Sequence, residues 1–212
     1  MPIATTVLVM AKAPLPGRVK TRLCPPCTPA EAAAIAEAAL SDTLDAVASC
    51  GADRLVVALD GDAGPWLPAG FEVIAQRGTT FADRLEAAWS SMGGPTLQIG
   101  MDTPQVTGAL LDDGIARVVD RGGAALGLAT DGGWWALALR HPVPGIFVDV
   151  PMSSDRTGAA QIEALRAVGL EPELLPVLRD VDTIDDATAV APTIPLSRFA
   201  ARLADVTARS AS

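Results

Sequence analysis

A chain of 212 residues, 50% of them apolar and 19% charged, is long enough to bury one substantial core and too short for two full-sized ones, so 1–212 is expected to form a single domain. The 16 basic and 25 acidic side chains give a formal charge of −9, which argues against nonspecific binding to nucleic acid or to an anionic membrane surface. No apolar run approaches the roughly 20 residues of a membrane helix, and the first one is too short and lacks the basic lead of a signal peptide, so a cytoplasmic location is expected.

The first element is the run Val7, Leu8, Val9, Met10, which reads as a strand buried on both faces and breaks at Pro14, Pro16 and Gly17. The loop that follows carries Lys12, Arg18, Lys20 and Arg22, four cations within 11 residues of an otherwise acidic chain. At the C-terminal end of a strand in an open α/β sheet, such a loop faces the crevice where ligands bind, and its charge suits phosphate. The prolines limit the entropy that the loop loses when a ligand orders it. Neither of the common glycine-rich nucleotide loops, GxxxxGKS/T or GxGxxG, fits these residues. Cys24 and Cys27 have redox or zinc spacing, but 3 cysteines and 1 histidine cannot assemble the usual zinc frameworks, so free thiols are expected.

Thr28-Pro29-Ala30-Glu31 has the form of a capping box with proline at the first helical position, opening a helix with Ala36, Leu40, Leu44 and Val47 on one face and Gly51 at its end. Leu55 to Leu59 is a second strand, and Asp60-Gly61-Asp62 a turn. Phe71 to Ala75 is a third strand, followed by Gln76-Arg77-Gly78 and a helix with Phe81, Leu85, Ala88 and Trp89 toward the core. Thr96 to Ile99 is a fourth strand, which places Asp102 at a strand's C-terminal edge, ahead of a helix capped by Thr107. Ala124 to Ala129 and Trp134 to Leu139 are the fifth and sixth strands, joined by Thr130-Asp131-Gly132-Gly133, with Trp134 and Trp135 on opposite faces. Ile146 to Val150 is expected to be another short strand. Ser153 or Ser154 is expected to cap a helix bearing Ile162, Leu165 and Val168 and closed by Gly169. After Asp180-Val181-Asp182, with Thr183 or Asp185 as cap of a short helix, Leu196, Phe199, Leu203 and Val206 form one stripe of a terminal helix, suited to the core or to a homodimer contact.

Taken in order, AKAPLPGRVKTRL at Ala11 to Leu23, QRG at Gln76 to Gly78 with Arg84, IGMDTP at Ile99 to Pro104, DGGWWALAL at Asp131 to Leu139, VPMSSDRT at Val150 to Thr157 and LRDVDTIDD at Leu178 to Asp186 resemble the glycosyltransferase-like proteins of the arsenosugar biosynthesis glycosyltransferase type. More distantly the chain resembles 2-phospholactate guanylyltransferase. Both groups resemble the GT-A nucleotide-diphospho-sugar transferase superfamily, and the matching motifs span nearly the whole chain.

The resemblance implies a single three-layer α/β/α domain, a Rossmann-like GT-A fold with a mainly parallel mixed sheet and one antiparallel strand after the DGG turn. It implies nucleotide binding by Ala11, Lys12, Gly17, Arg18, Lys20, Arg22, Gln76, Gly78 and Arg84, with base or ribose recognition around Gln76. Lys20, Asp102 and Asp131 take the catalytic roles, and Asp102 with Asp182 holds Mg2+ or Mn2+. The segment after DGG borders the acceptor pocket. The implied function is a magnesium-dependent transfer from a nucleotide-activated donor to a small-molecule acceptor. A nucleotide sugar makes the chain a glycosyltransferase, and a nucleoside triphosphate with a phosphorylated acceptor makes it a nucleotidyltransferase that releases pyrophosphate. Met101 and Thr103 stand where the family usually has serine and cysteine, and Ala82 where it has glycine, so a noncatalytic nucleotide-binding protein is a third reading.

Overall fold

The computed structural model describes residues 4–210. Seven strands form one sheet: β1 (Thr6–Lys12), β2 (Arg54–Asp60), β3 (Glu72–Ala75), β4 (Thr96–Gly100), β5 (Ala124–Ala129), β6 (Trp134–Leu139) and β7 (Pro172–Leu178). Their order is β3-β2-β1-β4-β6-β5-β7. Only β6 runs against its neighbours, pairing antiparallel with β4 and β5, so the sheet is mainly parallel and mixed as expected. The helices are α1 (Pro29–Ala48), α2 (Phe81–Ser90), α3 (Gly108–Asp120), α4 (Thr157–Ala167), α5 (Ile184–Val190) and α6 (Arg198–Ser210).

The central strand β1 shows why helices must cover both faces. Val7, Val9 and Ala11 enter a core with Leu40 and Leu44 of α1 and Leu111 and Val118 of α3. Leu8 and Met10 point the other way, into a second core with Leu85 and Trp89 of α2 and Leu165 of α4. Period-two alternation with apolar residues at every position leaves no face for water. A third cluster joins the far side of α1, through Ile35 and Ala39, to Val190 of α5 and to Phe199, Leu203 and Val206 of α6. The helix starts follow the sequence closely. Thr28, Thr80 and Thr183 each close a capping box, with Glu31, Asp83 and Asp186 respectively, and Thr107 caps α3.

Several expectations fail for identifiable reasons. Ile146 to Val150 is not a strand: Val148 and Val150 donate to the carbonyls of Gly145 and Phe147, three residues back, so the segment is a pair of turns that pushes Ile146 and Phe147 into the core. Pro172–Leu178, in contrast, is a strand. The sequence alone assigns it no element, and it lies at the sheet edge, where Pro176 removes no ladder hydrogen bond that the sheet needs. Phe81 is 46% exposed rather than on the core side of α2, and Leu196 is fully exposed, one turn short of the stripe that Phe199, Leu203 and Val206 bury. Val168 is also exposed, and α1 ends at a Ser49 cap before Gly51. Neither Ser153 nor Ser154 is the cap residue of α4; that place falls to Arg156, whose amide donates to Ser154 Oγ at 3.2 Å.

Candidate active site

The basic loop leaves β1 at Lys12 and is held at both ends. Ala13 donates its amide to the Asp60 carbonyl at 2.9 Å, while Val19 and Leu23 are buried. Between those two anchors Lys20 takes a left-handed conformation with φ 48°. That is uncommon for a residue with a side chain and places the turn among positions whose geometry the surroundings dictate. The result directs Lys20 inward: its side chain is only 8% exposed, and Nζ lies against Asp102 Oδ1 and 2.9 Å from Asp182 Oδ1. Arg22 stays 70% exposed with Nη1 3.4 Å from Asp182 Oδ2, and Lys12 and Arg18 are exposed at the cleft.

Asp102, Asp180 and Asp182 come from two loops that hydrogen bonds tie together. Val181, buried between Asp180 and Asp182, donates its amide to the Asp102 carbonyl at 2.8 Å, so the end of β4 and the segment after β7 meet. Asp131 sits on the β5–β6 turn, with Oδ1 accepting from the Gly133 amide at 2.8 Å. Asp180 is the member sequence reasoning passed over in favour of Asp182. Burial, with Asp102 and Asp131 nearby, pushes its carboxyl up to about 7 against a partial relief from Lys20. The DVD spacing was the available signal, because alternate residues of an extended segment share a side. Burial alone would lower the Lys20 ammonium, but the Asp102 and Asp182 charges outweigh it and hold it above its ordinary value.

These groups line a cleft of about 610 Å3 at the C-terminal ends of β1 and β4. Of the residues expected to bind nucleotide, Ala11, Lys12, Arg18, Lys20, Arg22 and Gln76 line it, whereas Gly17, Gly78 and Arg84 do not. Arg84 instead pairs with Asp60 at 3.0 Å. Gly78 holds φ +130°, and a Cβ there would lie 2.5 Å from the Asp83 Cβ, so it serves the tight entry into α2. Gln76 does not offer a free amide donor to a base edge: its Nε2 donates to the carbonyls of Ala11 and Ala58, both at 2.9 Å, and its Oε1 is buried without a partner. Asp102, Asp131, Asp180 and Asp182 all line the cleft, as do Phe81, expected from the sequence to face the core, and Met152 and Asp155, to which the sequence assigns no role of their own.

The opposite wall is built on close approaches of backbone. A Cβ on Gly132, which holds φ +88°, would overlap the Asp155 carbonyl, and one on Gly158 would come within 2.7 Å of the Gly133 carbonyl. The Gly158 amide donates to the Gly132 carbonyl at 2.8 Å, so the DGG turn is clamped to the start of α4 rather than being only a hairpin turn. Trp135 turns into the α1–α3 core and donates to the Pro176 carbonyl at 3.0 Å, while Trp134 lines the cleft and stacks on Phe147 with centroids 6.4 Å apart.

The residues fit a divalent cation. Carboxylate oxygens are the donors that Mg2+ and Mn2+ prefer, and Asp102, Asp131, Asp180 and Asp182 all line the cleft, where burial first and the neighbouring Asp102 and Asp131 second hold the Asp180 carboxyl up. Among the described residues, however, no three His, Cys, Asp or Glu side chains form a complete protein ligand set. Cys24, Cys27 and Cys50 are free thiols. No helix among the described residues is long and apolar enough to cross a membrane.

Known structures place this architecture among nucleotide-handling folds. A protein of Desulfovibrio desulfuricans G20, proposed to be a nucleotide-diphospho-sugar transferase, superposes with a TM-score of 0.87 at 25% identity over 97% of this chain and 96% of its own. Rv0371c of Mycobacterium tuberculosis H37Rv, in complex with manganese, gives 0.51 at 21% over 90% and 98%. CMP:2-keto-3-deoxy-manno-octonic acid synthetase in complex with CTP gives 0.56 at 14% over 91% and 98%. Among curated proteins no sequence matches. Residues 35–154, more than half of the chain, match the family model described as an uncharacterized protein conserved in bacteria (DUF2064), and the chain belongs to that family.

Proposed function

We propose that the protein is a transferase that uses a nucleotide-activated donor, a nucleotide sugar, and is assisted by a magnesium or manganese ion. The observation that carries the reading is the cleft itself, in which a basic segment from Lys12 to Arg22 adjoins the carboxylates of Asp102, Asp180 and Asp182 at the strand ends. The likeness to the D. desulfuricans protein supports it, and the manganese complex of Rv0371c is in keeping with a metal on this fold. Asp102 and Asp182 would hold the ion, which supplies positive charge to the phosphates of the leaving group.

In this reading Lys12, Arg18 and Arg22 neutralise the donor's diphosphate, while the loop's buried anchors hold its backbone and lower the cost of ordering it. An acceptor hydroxyl forms the new bond to the sugar's anomeric carbon. The bond from that carbon to the diphosphate oxygen breaks and its electron pair leaves with the nucleoside diphosphate. Asp131, an exposed carboxylate on the facing wall, takes the acceptor's proton.

Calorimetric titration with nucleoside diphosphates and their sugars, with magnesium, manganese or chelator, tests the reading. At least one nucleotide should bind, more tightly with metal, and Asp102→Ala should abolish the metal-dependent gain. No binding by any nucleotide, or an equal gain from metal in Asp102→Ala, overturns it. Release of a nucleoside diphosphate rather than pyrophosphate on turnover separates glycosyl from nucleotidyl transfer.

A further inference from the structure

The charges of the cleft are segregated. Among its described lining residues every lysine and arginine lies between Lys12 and Arg22, on the β1 side. The wall across from them, built on the DGG turn and the entry to α4, presents Asp131, Ser153, Ser154 and Asp155 beside Trp134 and Met152, with no cation. Arg156, next in sequence, does not line the cleft. Two polar groups there also lack partners: Trp134 Nε1 is buried with no acceptor, and Thr103, 1% exposed at the cleft floor, has no partner for Oγ1. An indole beside hydroxyls and carboxylates is the chemistry that receives sugar-like hydroxyl compounds, since a ring's C–H face lies on the aromatic ring and its hydroxyls donate to carboxylates. The same wall repels a phosphate ester, because Asp131 and Asp155 meet its dianion with like charge and no guanidinium or ammonium is there to offset them.

We propose that this wall receives an uncharged, hydroxyl-rich acceptor and turns phosphorylated acceptors away. The inference rests on the transferase reading and sharpens it, since it removes the phosphorylated acceptor of the nucleotidyl-transfer alternative. The wall's rigidity favours such selectivity, because Gly132 and Gly158 clamp the turn to the helix entry and hold the Asp155 backbone close against it.

Saturation-transfer NMR on the nucleotide- and magnesium-loaded protein compares glucose, ribose, inositol and glycerol with their monophosphate esters. At least one neutral compound should bind, and its phosphate ester should bind about tenfold more weakly or worse. Trp134→Leu should lose the neutral signal, and Asp155→Arg, at an exposed position, should narrow or reverse the preference. A phosphate ester that binds as tightly as its parent, or no neutral compound binding at all, overturns the proposal. The nucleotide titration of the same sample reports separately on the transferase reading.

Discussion

Replacing Lys20 by methionine removes the one ammonium held between Asp102 and Asp182 while keeping the length of the stem that packs in the loop. Removing one member of a buried ion pair costs about 3–5 kcal/mol, because the remaining charge stays buried without its partner. Here both aspartate side chains are 39% exposed, so solvent screens them and the cost falls to about 1–3 kcal/mol. For a domain of this size that corresponds to a melting temperature lowered by roughly 2–12 °C. The same change strips the carboxylates of the cation that a divalent ion has to compete with. Differential scanning fluorimetry without nucleotide, in chelator and in millimolar magnesium or manganese, should show Lys20→Met less stable than wild type in chelator and raised more by metal. A variant that melts with wild type in chelator and gains nothing more from metal would refute the reasoning, because the ammonium would then be neutralising nothing.

Asp180→Asn should stabilise the chelator-treated protein at pH 8 and leave it unchanged near pH 4. A carboxyl raised to about 7 in the fold keeps its proton while the unfolded chain, at the ordinary 3.8, has lost it, so stability falls as pH rises through that window, by at most about 4 kcal/mol; parallel pH–melting curves for variant and wild type would contradict this. Gly132→Ala should cost about 2 kcal/mol or more in urea denaturation, since its Cβ meets the Asp155 backbone and φ is +88°. Phe199→Ala should cost about 3–5 kcal/mol as a cavity between α1 and α6, and Leu196→Ser should stay within about 0.5 kcal/mol because Leu196 is fully exposed; comparable losses from both would return Leu196 to the buried stripe.

What the sequence determined by itself was whatever is local. The doubly apolar run at Val7–Met10 demanded a strand covered on both faces, the Thr28–Glu31 box and the Thr107 cap marked where helices begin, and four cations from Lys12 to Arg22 identified the basic side of the cleft. These signals depend on backbone period and on hydrogen bonds spanning three residues, and neighbours in sequence are enough to make them. The DVD spacing was also visible, but only burial against Asp102 and Asp131 distinguishes Asp180 from Asp182. Tertiary structure alone decided which partner each polar group took. Lys20 meets Asp182 across 162 residues, Gln76 spends its donor on the carbonyls of Ala11 and Ala58, and Arg84 is held by Asp60 outside the cleft. It also decided that β7 is an edge strand despite Pro176, that Phe81 faces the cleft, and that Trp135 packs into the α1–α3 core while Trp134 stacks on Phe147. The alternation of a strand says that two faces exist, and the periodicity of a helix that one stripe is apolar. Which face is covered, and which charge lies opposite, depends on elements that only packing brings within a few ångströms.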